Sequence, residues 1–218
     1  MEIAHKLNFH NIPVFHINYG CGGYLAAMHS IFDYLQLHKN TTVLLCLTDW
    51  PSSMVNKYET VVLFSDAVHV SLWSNDVKYK GLEVRNVLYE NVLDNPYSLN
   101  VTNGMWSMDG GAVSEFVQKV PDLISKEMKI KLENYFIIPH QPNPKLLQTL
   151  EDKYKVPFYK EDAEKFGNTT CSAMMIALQR IITKDLLKKP IMLMGFGDTE
   201  SYGAVILESP KEKPVLAN

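Results

Sequence analysis

Three residues combine a reactive side chain with a setting that could activate it: Cys21, His140 and Asn168. Cys21 stands in Gly20-Cys21-Gly22-Gly23, directly before an apolar pattern of helical spacing. A thiol at a helix N-terminus meets the positive end of the peptide dipole and unpaired N–H groups, and both pull its pKa down from about 8.5. The flanking glycines admit a carbonyl close to the backbone, where the Cys21 N–H can stabilise an oxyanion. The competing reading is a small apolar filler in a glycine turn, a common role for cysteine. His140 follows a short apolar strand, at the strand end where α/β folds gather polar groups. A neutral imidazole there can hydrogen-bond a thioester oxygen, although a lone histidine also serves structure. Asn168, between Gly167 and Thr169, is a donor by chemistry and a favoured helix N-cap by context. Read separately, the three stay ambiguous.

Several other chemistries fail on the same string. A hydrolase elbow needs glycine two residues before its nucleophile, and Tyr19 stands there. The remaining histidines, at positions 5, 10, 16, 29, 38 and 69, show no ligand spacing with carboxylates or thiols, so no metal site is expected. There is no phosphate loop and no dinucleotide fingerprint. A net charge of -3 gives no basic field to hold nucleic acid. No apolar run is long enough to span a bilayer, and the first residues hold no secretory apolar core. Three cysteines, an odd number, make no disulfide framework. These features predict a cytoplasmic protein with reduced thiols and no membrane contact.

The elements that must position these side chains alternate strand and helix. Residues 14–19 read as a strand entering the Cys21 turn, and Leu25, Met28, Phe32 and Leu35 predict an amphipathic helix over 24–37. Residues 41–47 read as a buried strand, and 60–64 with 68–73 as two strands around Ser65-Asp66-Ala67. Strand 79–89 and a polar loop over 95–103 follow. A helix over 113–126 is expected to kink or end at Pro121. Then come strand 135–138, helix 145–154, a helix over 172–183 capped by 167–171, and final strands 191–194 and 203–207 joined by a loop over 195–202. This order predicts an α/β fold with helices layered on sheet.

At its glycine-rich and histidine-bearing loops the chain resembles the β-ketoacyl-acyl-carrier-protein synthase III family of thiolase-fold condensing enzymes. Gly20-Cys21-Gly22-Gly23-Tyr24 resembles the family's nucleophile turn, and Leu63-Phe64-Ser65-Asp66-Ala67 its FGD-type hairpin. Met108-Asp109-Gly110 resembles the MDG-helix start, Pro139-His140-Gln141-Pro142-Asn143 the PHQAN loop, and Gly167-Asn168-Thr169 the GNT loop. Gly195-Phe196-Gly197 and Tyr202-Gly203-Ala204 echo the closing hairpin. The resemblance runs from about residue 10 to 207 and lifts Cys21, His140 and Asn168 into one joint site.

The resemblance implies a thiolase-like layered αβαβα fold, N-terminally incomplete. Residues 1–90 would be the remainder of the first half, with the nucleophile, and 91–218 the second half, with the His and Asn loops. It also implies two-stage acyl transfer. Cys21 would take an acyl group from a thioester, with the Cys21 N–H and the Gly197, Asp198 and Thr199 loop as oxyanion donors. His140 and Asn168 would hold a malonyl-type thioester during decarboxylative condensation. Lys145, where the family usually has arginine, would face the carrier's phosphate, with Gln141 and Asn143 at the substrate. No permanent cofactor is implied. The substrates would be acyl-CoA and acyl-carrier-protein thioesters, and the partners an acyl carrier protein with either a second copy or another thiolase-fold chain. That chain would supply the family's segment before the nucleophile strand. The alternatives are a non-catalytic or half-complete subunit, or an ester- or amide-forming acyltransferase. Gly22 for a commoner small residue, Pro142 for alanine, and Asp198-Thr199 within a glycine run are departures from the pattern.

Overall fold

The computed structural model describes residues 2–53, 64–92, 99–102, 105–182, 189–197 and 200–210. Two facing layers of apolar side chains on one sheet organise it. Strands β3 (Glu83–Asn91), β6 (Phe136–Pro139), β7 (Ile191–Gly197) and β8 (Ser201–Glu208) form a sheet in the order β3-β8-β7-β6. β6 and β7 run parallel, while β7–β8 and β3–β8 are antiparallel. β7 and β8 are buried along almost their whole length, as expected of strands covered on both faces. Ile191, Leu193, Val205 and Leu207 turn to one face. Met192, Met194, Ala204 and Ile206 turn to the other. Period-two alternation therefore serves two cores at once.

The first core is closed by α2 (Gly23–Leu37) and α7 (Ala173–Ile182). Tyr24, Leu25, Met28 and Ile31 of α2 pack there with Met174, Leu178 and Ile181 of α7. The second core is closed by α3 (Gly110–Val117), α4 (Val120–Met128), α5 (Pro144–Tyr154) and α6 (Glu161–Phe166). The Asp109 carboxylate starts α3 by accepting from the Gly111 and Ala112 N–H groups, both at 3.0 Å. The helix expected over 113–126 is two helices. Pro121 lies in the first turn of α4, where its missing N–H costs nothing, so the break falls before it. α1 (Glu2–Lys6) precedes these elements, and β4 (Leu99–Thr102), inside the span expected to be loop, pairs with β5 (Met105–Met108) just beyond it.

β1 (Thr42–Asp49) and β2 (Ala67–Ser74) form a separate antiparallel ribbon. β2 thus pairs with β1, and of the strand expected over 60–64 residues 60–63 lie outside the described residues. Val43, Leu45 and Trp73 rest on the first core. The other face carries Leu44, Cys46, Val68, Val70 and Leu72, with Val68 69% and Leu72 62% exposed.

The strand expected over 14–19 does not form. Those residues are non-helical and unpaired in any ladder, with Phe15 76% exposed. β-propensity needs a neighbouring strand to become structure, and no described strand lies beside them. The remaining expected strands and helices that fall on described residues, the divided 113–126 helix aside, match within a few residues. The loop of the final hairpin is shorter than expected, because β7 continues to Gly197 and β8 begins at Ser201. Residue 90, the expected division between halves, lies within β3, which pairs with β8.

Candidate active site

Cys21 occupies the turn that opens α2. The Gly23 N–H donates to the Gly20 carbonyl at 2.8 Å, and Gly22 is an N-cap without a side-chain bond. The first N–H groups of α2 thus have no side-chain cap at Gly22. Cys21 itself is half-buried. The end of β7 presses on this turn: a β-carbon on Gly197 would stand 2.9 Å from the Cys21 carbonyl carbon. From the other side, a β-carbon on Gly23 would lie 3.7 Å from the Cys171 β-carbon. Asp198 and Thr199 lie outside the described residues.

His140 leaves the end of β6, and its backbone N–H donates to the Met194 carbonyl of β7 at 2.7 Å. Its ring meets Phe196 edge-on, with centroids 5.3 Å apart. The side chain is only 2% exposed. Burial pushes its pKa down to about 4, against the opposing pull of the Asp49 charge and of hydrogen bonding with the Thr170 backbone. At neutral pH the imidazole is therefore uncharged. Its Nδ1 has no hydrogen-bond partner among the described residues.

Asn168 is buried, and its Oδ1 accepts from the Thr170 N–H at 2.9 Å. That bond orients the amide and leaves its NH2 as the end that can address a substrate. The loop is set by Gly167 at φ 71 and ψ -156, a region essentially reserved for glycine. Before it, Asp162 of α6 pairs with Arg180 of α7 at 2.8 Å, and the guanidinium lies over the Phe166 ring. On the other side, the Ser65 N–H donates to the Asn168 carbonyl at 3.0 Å. The Cys21 turn and the His140 and Asn168 loops thus converge on residues 170–172.

Two other expected site residues, Gln141 and Asn143, serve the scaffold. Gln141 is buried and spends its amide on three backbone bonds: Nε2 donates to the Pro139 and Tyr159 carbonyls, and Oε1 accepts from the Ala163 N–H. Asn143 caps α5 through Oδ1, which accepts from the Leu146 N–H at 2.9 Å. Lys145 is exposed in the first turn of α5. One residue the sequence reading missed is Asp49, the last of β1. Its carboxylate takes the Ser172 N–H and O–H and the Cys171 thiol. Its signal was slight: an acid closing an apolar strand.

Residues 128–209 match the family model described as 3-Oxoacyl-[acyl-carrier-protein (ACP)] synthase III C terminal. Beta-ketoacyl-[acyl-carrier-protein] synthase III of Acholeplasma laidlawii is 26% identical over 92% of this chain and 67% of its own. The crystal structure of 3-oxoacyl-[acyl-carrier-protein] synthase III from Aquifex aeolicus superimposes with a TM-score of 0.78 at 22% identity, covering 95% of this chain and 70% of that one. The priming β-ketosynthase of the R1128 polyketide pathway does so with a TM-score of 0.75 at 21% identity, covering 97% and 70%. The chain thus spans about two thirds of the curated relative. This chain is thus similar in sequence to β-ketoacyl-[acyl-carrier-protein] synthase III proteins, and its layered α/β fold is the thiolase-like fold of the solved structures it superimposes on.

Proposed function

We propose that the chain is a condensing acyltransferase of the 3-oxoacyl-[acyl-carrier-protein] synthase III type, acting in fatty-acid or polyketide-type biosynthesis. The observation that carries this reading is His140: a buried, uncharged imidazole with an unpartnered Nδ1, in a loop that meets the Asn168 loop at Thr170. In the first stage the Cys21 thiolate attacks the carbonyl carbon of an acyl thioester. The tetrahedral oxyanion is held by the Cys21 N–H and the loop after Gly197, and the thiolate of coenzyme A leaves. In the second stage a malonyl-type thioester loses carbon dioxide, and the electron pair of the broken C–C bond moves into an enolate. His140 and Asn168 hydrogen-bond the enolate oxygen. The enolate carbon then attacks the acyl carbon on Cys21, forming the C–C bond of the β-ketoacyl product and releasing the Cys21 thiolate.

A neutral imidazole has one N–H, for which the Thr170 backbone and the thioester oxygen compete. Asn168 brings two amide hydrogens and has no such limit. No permanent cofactor enters this scheme. An acyl carrier protein would deliver the extender, with Lys145 supplying charge for its phosphate, and Asp198 and Thr199 would complete the oxyanion loop. Residues 1–90 and 91–218 would act as the two halves. The apolar outer face of β1–β2 supports a covering neighbour, either a second copy or another thiolase-fold chain. Among the described residues no helix is long and apolar enough to cross a membrane.

Intact-mass spectrometry with a panel of acyl-CoA thioesters tests the first stage. Cys21→Ala should abolish a mass gain that Cys46→Ala and Cys171→Ala retain, and equal labelling of Cys21→Ala would sink the reading. For the second stage, Asn168→Ala or His140→Ala should cut condensation by about a hundredfold while sparing loading. Parallel collapse of loading would reassign His140 to thiol activation.

A further inference from the structure

The Asn168 loop ends in a tight turn, Thr170–Ser172, with Thr170 at a left-handed φ of 45. A β-branched residue does not hold that conformation unless its surroundings impose it. On one side the restraint is the bond from the Thr170 N–H to Asn168 Oδ1. On the other it is Asp49, which reaches across from the end of β1. Its Oδ2 accepts from the Ser172 N–H at 3.0 Å and from the Ser172 hydroxyl at 2.5 Å, and the Cys171 thiol lies 3.1 Å from both carboxylate oxygens. The carboxylate thus grips two consecutive residues of a turn whose first residue bonds Asn168 and meets His140.

We propose that Asp49 is a positioning residue for condensation: by clamping Cys171 and Ser172 it fixes the turn that sets Asn168 and the Thr170 backbone against His140. Asp49 need not touch substrate. The inference rests on the condensing reading above, so its test carries one arm that is independent of activity.

The activity arm compares Asp49→Ala with Asp49→Asn, which keeps an oxygen for the Ser172 N–H and hydroxyl. Asp49→Ala should lower the kcat of condensation at least about tenfold, the scale of a small misplacement of reacting groups. Cys21 loading and the KM for acyl-CoA should change little. Asp49→Asn should recover most of the loss. Unchanged condensation in Asp49→Ala, an equal fall in loading, or an Asn variant as poor as Ala would each overturn the proposal.

The second arm uses Cys171 as sole thiol, in a Cys21→Ala/Cys46→Ala background. Burial and Asp49 hold this thiol well above the usual cysteine range. Removing Asp49 should speed its alkylation by iodoacetamide at least about tenfold, with Asp49→Asn in between. An unchanged rate overturns the clamp. If the wild-type chain neither loads nor condenses, the condensing reading fails, while this arm still reports on Asp49. Should Asp49→Ala fail to fold, Ser172→Ala replaces it in both arms, with the same directions expected and the same reversals decisive.

Discussion

Gly197 lies so close to Gly22 that a β-carbon on it would stand 2.3 Å from the Gly22 nitrogen. The atoms in the way are backbone, which cannot swing aside as a side chain does. Gly197→Ala must therefore displace either the end of β7 or the turn that carries Cys21. The first cost is stability, about 1–3 kcal/mol for an overpacked site. The second is geometry. Acylation of Cys21 should slow by at least about tenfold, because a small misplacement of a nucleophile is expensive. Intact-mass time courses on the folded variant check this, and a wild-type loading rate would show that the contact is immaterial to the thiol.

His140 makes the fold sensitive to acid. In the unfolded chain its pKa returns to about 6.5, while burial holds it at about 4 in the native state. Above pH 6.5 both states are neutral and the group contributes no pH dependence. As pH falls below 6.5 the unfolded chain takes up a proton that the native chain refuses, so stability declines until about pH 4. From this residue alone the loss between pH 7 and pH 5 should be about 2 kcal/mol. Urea midpoints at the two values, for wild type and His140→Gln, measure it. An equally steep decline in the variant would place the sensitive group elsewhere.

Much of this arrangement was legible beforehand, for physical reasons. Leu25 and Met28 recur at helical spacing because one face of α2 meets a core, and both are buried there. The His140 and Asn168 loops were singled out by the resemblance of their motifs, and the structure brings both to Thr170. What sequence concealed was context supplied by distant elements. Residues 14–19 have the composition of a strand, but a strand exists only when another backbone pairs with it. α6 is a short, charged helix with too few apolar positions to show a period. Asp49 was missed because its partners, Cys171 and Ser172, lie far along the chain.

The outer face of β1–β2 leads to a third expectation. Val68, Val70 and Leu72 repeat along one side of β2 and remain exposed. An apolar row on a two-stranded ribbon promotes association. The purified chain should therefore self-associate at micromolar concentration in sedimentation. Val70→Lys should shift it towards monomer with its thermal midpoint nearly unchanged. A wild-type chain that sediments as a monomer at all concentrations would rule out a second copy on this face.

The last expectation concerns Gly22 and Ser201. A β-carbon on Gly22 would fall 2.5 Å from Ser201 Oγ and 2.9 Å from Tyr19 Cε1. Ser201 is fully buried, and its hydroxyl has no hydrogen-bond partner among the described residues. Gly22→Ala alone should destabilise by about 1–3 kcal/mol, since that hydroxyl has nowhere to go. Ser201→Ala alone should be close to neutral, because it removes a buried polar group that gains nothing from the fold. Combined, they should be less damaging than their sum by about 1 kcal/mol, the coupling expected of residues in direct contact. Recovery should stay incomplete, because the Tyr19 ring still stands against the new methyl group. Urea denaturation of the four proteins gives the cycle, and intact-mass loading reports whether the Cys21 turn recovers in step. Additive losses would mean that Tyr19, and not Ser201, sets the room available beside the nucleophile.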